Sequence, residues 1–225
     1  MKSRMQKGFT LVEIAIVLVI VGLLIGGVLK GQEMITNAKL KRIESDNAGI
    51  AAAMFSYQDR YLQLPGDDNN ATSRFSDYSG TSYNGNGDGT VDGVWNANNI
   101  PDLSDPPSGS GTPVETDFFF AHLRAAGLVP GSALDASKPT NAYGGLIGIQ
   151  DGADCISGHV TIFGTIEGPI ASIIESRLDD GDANKGRIQA EDTTNTNNMQ
   201  PLANCPQTTA GTYSDSKRYN MAFRL

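Results

Sequence analysis

The strongest pattern of hydrophobic and polar positions is an apolar run at residues 9–29. This run contains one ionisable side chain, Glu13, and basic residues precede it. A helix rises about 1.5 Å per residue, and about 20 apolar residues are enough to cross the hydrocarbon core of a membrane. The pattern therefore predicts a single membrane-spanning helix. Because positive flanks stay on the cytoplasmic side, we expect the chain after residue 29 to lie outside the cytoplasm.

Residues 30–61 follow the spacing of an amphipathic helix. Large apolar side chains recur at steps of three, four, seven or eight residues, which places them on one helical face. They are Ile35, Ile43, Ile50, Met54, Tyr57 and Tyr61. No proline precedes Pro65, so one helix is predicted over residues 9–61. Its first half, residues 9–29, would pack in an assembly, and its second half would pack as a stem against its own head.

Glycines are frequent in this predicted helix. They are Gly22, Gly26, Gly27, Gly31 and Gly49. Each lowers helix propensity by about 1 kcal/mol relative to alanine. Two explanations remain open for the glycines at 22–31: local melting of the helix in an assembly, or close packing of neighbouring helices.

Residues 62–225 are predicted to form a globular head. An Asn/Asp/Gly-rich loop at 66–111 lacks apolar periodicity. The pattern at residues 112–115 resembles a capping box and predicts a helix start, and a further helix is predicted at 169–178. Strand candidates lie at 146–149, 159–166, 187–190 and 219–223. The predicted fold class is therefore α+β, a long N-terminal helical stem packed against a small antiparallel sheet.

The position of the apolar run predicts an unusual processing site. Ordinary secretory signals are cut behind small residues that follow the apolar region. No such site follows residue 29, and cleavage is predicted between Gly8 and Phe9 instead. Residues 1–8 would then be a leader, and the mature chain would start with its own hydrophobic helix. A carboxylate at membrane depth needs a partner, and the new amine of Phe9 would supply one for Glu13.

The string GFTLVE at residues 8–13, with the aliphatic run behind it, resembles the signal of type IV pilins and type II secretion pseudopilins. The resemblance covers about residues 1–60. It implies that a prepilin peptidase cuts after Gly8 and N-methylates Phe9, and that Glu13 sets the register between subunits in a helical filament. It also implies a single-pass protein of the bacterial inner membrane that later enters a periplasmic pseudopilus or an extracellular pilus.

The resemblance also implies the partners. They are other pilin-like subunits in a homo- or hetero-oligomeric filament, the prepilin peptidase, the inner-membrane assembly platform and the membrane itself. Nucleic acid is not expected as a partner, because its binding depends largely on neutralising phosphates with basic side chains. The formal net charge is −8, and loss of the leader cations Lys2, Arg4 and Lys7 would make it −11.

Three functions stay open on the sequence. The principal one is a polymerising structural subunit, whether of a pilus or of a secretion pseudopilus. The second is a low-copy minor pilin whose polar loop binds a surface or ligand, and the third is a membrane-anchored calcium-binding domain. An enzyme is not expected, because the sequence has two histidines and lacks a nucleophile elbow, a phosphate loop and a zinc-ligand pair.

Two acidic loops are candidate sites for Ca²⁺, the one cofactor that the sequence suggests. Residues 84–92 follow the spacing of a calcium loop, with Trp95 where the bidentate glutamate is usual. The candidate ligands there are Asn84, Asn86, Asp88 and Asp92. A weaker candidate set consists of Asp180, Asp182 and Asn184. In both loops the alternative is a turn that needs no metal.

The two cysteines, Cys155 and Cys205, both lie in the part of the chain predicted to face an oxidising compartment. A disulfide between them is predicted on that ground. The resemblance supports it, because many pilins fasten their C-terminal region with such a bridge. The alternatives are two free buried thiols or, with less support, a zinc site, since neither cysteine belongs to a paired ligand motif.

Overall fold

The computed structural model describes residues 10–78, 83–97, 103, 113–153, 155–193 and 211–225. The chain divides into two compact units, Met1–Lys41 and Arg42–Leu225. One helix, α1 (Leu11–Tyr61), contributes to both units. It runs without interruption through the glycines at 22–31 and stops where Leu62 adopts a left-handed backbone conformation, with φ of 55°. A left-handed residue is a common way to end a helix.

The second half of α1 buries one face within the larger unit. Ile43, Ile50, Met54 and Tyr57 are all buried, as the amphipathic spacing predicted. The prediction was wrong for Ile35, which is 60% exposed. Ile35 lies in the smaller unit, so the buried stripe of the stem within the larger unit begins at Ile43.

The head contains a four-stranded antiparallel sheet with the strand order β1-β2-β4-β3. The strands are β1 (Ile147–Ala153), β2 (Ile156–Glu167), β3 (Ile188–Asp192) and β4 (Arg218–Arg224). Each contains or overlaps a strand predicted from the sequence. The centre of β2 is buried at every position from Val160 to Gly164, so both faces of the sheet are covered there. The predicted α+β class is thereby confirmed.

Different parts of the chain cover the two faces of the sheet. On one side Thr161 of β2 donates a hydrogen bond to Asn47 of α1. On the other, Trp95 clusters with Val160 and Ile162. Gly164 permits this packing, because a Cβ atom there would lie 2.7 Å from the Trp95 ring. The sheet is thus enclosed between the stem helix and the polar insertion.

The insertion contributes more to the core than its composition suggested. Its described part contains one short helix, α2 (Ala71–Arg74), and several buried large side chains. These are Phe75, Tyr78, Tyr83, Val91, Trp95 and Leu103. Their irregular spacing gave no periodic signal, although together they anchor this segment to the head.

The remaining helices are α3 (Glu115–Ala125) and α4 (Gly168–Leu178). Both lie where the sequence predicted helices, but the predicted capping box of α3 is wrong. Thr112 lies outside the described residues, and the N-cap position is taken by Val114. The side chain that reaches back is Asp117, which accepts a 3.2 Å hydrogen bond from the Val114 N–H. Glu115 is instead engaged with the insertion.

Candidate functional site

The first candidate site is the beginning of α1, where Thr10 and Glu13 cap the helix reciprocally. The backbone N–H and the hydroxyl of Thr10 each donate a 2.8 Å hydrogen bond to Glu13 Oε2. The Glu13 N–H donates in return to Thr10 Oγ1, at 3.3 Å. This pattern satisfies N–H groups that a helix start otherwise leaves unpaired. Gly8 and Phe9, the predicted processing residues, lie outside the described residues.

The apolar segment that follows is exposed along its whole length. An 18-residue window of α1 near its N-terminus has a mean hydropathy of 2.8 and is 0% buried. In the described part of the chain, α1 is the one helix long and apolar enough to cross a membrane. Added Cβ atoms at Gly22, Gly26, Gly27 and Gly31 would meet no atom within 4 Å. Within the described residues of the smaller unit, these glycines therefore have no packing partner.

The second candidate site is the loop 84–92, which two buried carboxylates hold in place. Asp67 accepts hydrogen bonds from three successive backbone N–H groups, those of Gly87 (2.5 Å), Asp88 (3.1 Å) and Gly89 (2.8 Å). Such a run of N–H groups is an anion-binding nest, here filled by a side chain of the same chain. The positive φ of Gly87 and Gly89 makes the nest.

Glu115 fastens the other side of this loop. Its carboxylate accepts hydrogen bonds from the N–H groups of Asn86 (2.7 Å) and Asp92 (2.9 Å). Burial raises the pKa of Glu115, although these two hydrogen bonds oppose the shift. Neither Asp67 nor Glu115 was predicted from the sequence as the anchor of this loop. The alternation of glycine with polar residues is the signal that could have suggested a nest.

The four predicted calcium ligands of this loop do not all converge. Asn86 donates through Nδ2 to Asp88 Oδ2 at 3.0 Å and to Asp92 Oδ2 at 3.4 Å, so these three side chains lie together. Asn84 points elsewhere, and its Oδ1 accepts a 2.8 Å hydrogen bond from the Thr72 N–H. Hydrogen bonds from Thr90 lower the pKa of the exposed Asp88.

These contacts bear on whether the loop fits Ca²⁺, which takes six to eight oxygen ligands. Two exposed carboxylates, Asp88 and Asp92, face one another across Asn86, and the buried Asp67 is committed to backbone N–H groups. The loop is thus closed by its own hydrogen bonds. Calcium binding by residues 84–92 stays a prediction.

The third candidate site is the turn after α4, and its geometry differs from the predicted ligand set. Asp182 pairs with Lys185, with 2.6 Å between the carboxylate and the ammonium. Asn184 donates its N–H to Asp182 Oδ1 at 3.1 Å. Among the described residues, the carboxylates that converge are those of Glu175, Asp179 and Asp180. Burial, and to a lesser degree the neighbouring aspartates, raise the pKa of Glu175 to about 8.

The two histidines have separate structural settings. His122 is fully buried, with its ring stacked between those of Tyr57 and Phe118. Burial lowers its pKa to about 4, so the ring is neutral at pH 7. His159 lies on β2, with its Nδ1 3.4 Å from Asp151 Oδ1. Neither histidine adjoins a serine or cysteine nucleophile among the described residues.

Of the predicted disulfide, only Cys155 falls within the described residues. It lies in the turn between β1 and β2, and its N–H donates a 3.0 Å hydrogen bond to Gln189 Oε1 on β3. Cys205 lies outside the described residues. The Cys155–Cys205 bridge therefore stays a prediction.

Comparison with known proteins identifies the N-terminal segment. Residues 3–29 match the family described as the prokaryotic N-terminal methylation motif. Neither the curated proteins nor the solved structures gave a match to the chain. The motif together with the exposed apolar helix fits a membrane-anchored protein. The chain therefore carries the N-terminal methylation signal of type IV pilins and pseudopilins.

Proposed function

We propose that the protein is a structural subunit of a type IV pilus or of a type II secretion pseudopilus. In this proposal a prepilin peptidase cuts between Gly8 and Phe9 and methylates Phe9, and the mature chain polymerises through α1. The observation that carries the proposal is the continuous exposure of apolar side chains along the first half of α1, within the matched motif at residues 3–29.

The physical argument is that such a surface cannot remain in water. An exposed apolar helix is stable only when lipid or other apolar helices cover it, because burying its surface removes the unfavourable contact with water. A membrane would cover the helix before assembly. A bundle of identical or related helices would cover it afterwards, in a homo- or hetero-oligomeric filament.

Glu13 has a different partner in each stage of this proposal. In the protomer its carboxylate accepts two hydrogen bonds from Thr10, which satisfy one of its oxygens, Oε2. During assembly the carboxylate pairs with the positive amine of Phe9 on a neighbouring subunit. An ion pair in an apolar environment is strong when both charges are present, and it would fix the register of the incoming helix.

The first experiment is mass spectrometry of the intact protein and of its N-terminal fragments. The protein is isolated from sheared extracellular fibres and, separately, from membranes. Methylated Phe9 abundant in fibres supports a pilus subunit, and methylated Phe9 confined to the envelope supports a pseudopilus or a minor subunit. A chain that still starts at Met1 in both fractions would refute the proposal and favour a membrane-anchored domain.

Substitutions at Glu13 and Thr10 separate ion pairing from helix capping. Glu13→Gln keeps an acceptor for Thr10 but removes the charge, whereas Thr10→Ala removes the hydroxyl of the cap and keeps the charge. We expect Glu13→Gln and Glu13→Ala to be processed normally and to be lost from filaments, while Thr10→Ala is incorporated. If Thr10→Ala is lost from filaments while Glu13→Gln is incorporated into them, the role of Glu13 is helix capping alone.

A low-copy minor subunit with a binding head is the second candidate. It is favoured by the loop 84–92, which Asp67 and Glu115 hold in a fixed conformation with Asp88 on its exposed surface. A preformed polar loop binds a ligand at a lower entropic cost than a disordered one. The ratio of this protein to the main component of sheared fibres distinguishes the two candidates.

A further inference from the structure

The C-terminal end of α4 brings together three carboxylates, one of which is buried with an unpaired oxygen. One oxygen from each of Glu175, Asp179 and Asp180 lies within 4.8 Å of the other two. Glu175 is 0% exposed. Its Oε2 accepts a 3.0 Å hydrogen bond from the Tyr213 hydroxyl, but no described residue donates to its Oε1. A buried oxygen without a donor is costly and calls for a ligand.

We propose that Glu175, Asp179 and Asp180 bind a calcium ion. The site offers oxygen atoms alone, which suits a hard cation and disfavours zinc or copper. The ion would supply the missing partner of Glu175 Oε1 and would offset the repulsion between the neighbouring carboxylates of Asp179 and Asp180. This proposal does not depend on filament assembly.

The backbone around the turn already orients two of the three ligands. Asp179 Oδ2 accepts hydrogen bonds from the N–H groups of Arg187 and Ile188, the second at 2.7 Å. Asp180 Oδ1 accepts one from the Asp182 N–H at 2.9 Å. Among the described residues, no hydrogen bond uses the second oxygen of either aspartate, so each has one oxygen available for the ion.

The lysine of the same turn leaves this position open to a cation. Lys185 pairs with Asp182 and so does not neutralise the cluster. The carbonyl end of α4 also favours positive charge, because the helix dipole is negative there. The ligand set shares Asp180 with the set predicted from sequence spacing and replaces Asp182 and Asn184 by Glu175 and Asp179. Glu175 belongs to α4, before the turn begins, so a motif that considers the loop alone could not include it.

The test is calcium titration calorimetry on the full-length chain in detergent micelles. The parent chain carries Asp88→Asn and Asp92→Asn, so that the loop 84–92 cannot contribute carboxylates. We expect saturable binding with a Kd between about 10⁻⁴ and 10⁻³ M, the range of extracellular calcium modules. Glu175→Gln and Asp180→Asn, added separately to this parent, should each weaken binding at least about tenfold, because affinity depends on the number of charged ligands.

Asp182→Asn is the matched control, since it removes a carboxylate from the same turn but not from the cluster. It should keep the affinity within about threefold of the parent, as expected for a non-ligand. Absence of saturable binding in the parent would overturn the proposal and would mean that Glu175 is neutralised by a proton. Unchanged affinity in Asp180→Asn would overturn it too, because Asp180 is exposed and its substitution leaves the packing intact.

Discussion

His122 Nδ1 accepts a 2.9 Å hydrogen bond from the backbone N–H of Gly66, the residue from which the insertion departs. The other ring nitrogen, Nε2, is 2.9 Å from the carbonyl oxygen of Tyr83 and donates to it. These two partners require a neutral ring with its proton on Nε2. The side chain therefore joins α3 to both ends of the segment 66–83, and it can do so in one protonation state only.

This arrangement predicts that acid destabilises the head. The pKa of His122 is lowered from 6.5 to about 4 in the folded chain. Between these values the unfolded chain takes up a proton that the folded chain does not, so the free energy of unfolding falls as pH falls through this window. The contribution lost between pH 7 and pH 4 is about 3 kcal/mol, at 1.36 kcal/mol per pKa unit. Denaturant unfolding at a series of pH values measures it.

The variant that tests this effect is His122→Gln. It should be less stable than the unsubstituted chain at pH 7, because glutamine replaces a stacked ring. Its free energy of unfolding should nevertheless vary less between pH 7 and pH 4. Equal pH dependence in the variant and the unsubstituted chain would show that His122 does not titrate as described.

The anchoring of the loop 84–92 predicts that Asp67, which holds the loop in place, matters more for stability than Asp88, which lies on the exposed surface of the loop. Asp67→Asn replaces a carboxylate that accepts three backbone N–H groups by an amide that can accept fewer and presents its own N–H donors. We expect a loss of about 3 kcal/mol in the free energy of unfolding, the upper range for hydrogen bonds to a charged group. Asp88→Asn, at the exposed surface of the loop, should lower the free energy of unfolding much less than Asp67→Asn does. Similar losses in both would contradict the assignment of Asp67 as the anchor.

The glycines of α1 predict an effect on assembly that is absent from the protomer. The Cβ atom of an alanine at Gly22 or Gly26 would meet no described atom within 4 Å beyond the backbone of its own helix, and it would raise helix propensity by about 1 kcal/mol. We therefore expect Gly22→Ala and Gly26→Ala to keep full helicity in micelles, measured by circular dichroism, and to enter filaments less efficiently. The reason is that small residues let neighbouring helices approach closely.

Gly49→Ala is the control for this prediction. Its Cβ atom also meets nothing within 4 Å, but it lies in the stem, beyond the apolar segment. It should be incorporated as well as the unsubstituted chain. Normal incorporation of the alanine variants at 22 and 26 would remove helix packing as the reason for these glycines.

The predictions that succeeded were those that rest on local periodicity. The apolar run, the buried stem positions from Ile43 to Tyr57 and the four strands follow from side-chain spacing along one element. The signal at residues 3–29 is likewise contained in one continuous segment. Each of these features can be recognised without knowing what lies next to it in space.

The contacts that sequence reasoning missed join residues far apart in the chain. Asp67 lies 22 positions from Gly89 along the chain, and Glu115 lies 29 from Asn86, yet these pairs decide the conformation of the loop. The spacing of Asn84 suggested a metal ligand, whereas its oxygen accepts a bond from Thr72. Motif spacing specifies which side chains can converge on a point, but buried carboxylates elsewhere in the chain determine whether they do. The Thr10–Glu13 cap was local and could have been read from its T-x-x-E pattern.

The last prediction concerns the bridge between Cys155 and Cys205. Alkylation without prior reduction should leave both cysteines unmodified in intact-mass spectra, and alkylation after reduction should modify both. A bridge that closes a loop of about 50 residues contributes roughly 4 kcal/mol in the chain-entropy model. Cys155→Ser and the double variant Cys155→Ser/Cys205→Ser should therefore lose similar amounts of stability, because either change removes the same loop closure. A stable single variant, or alkylation of the unreduced chain, would show two independent thiols.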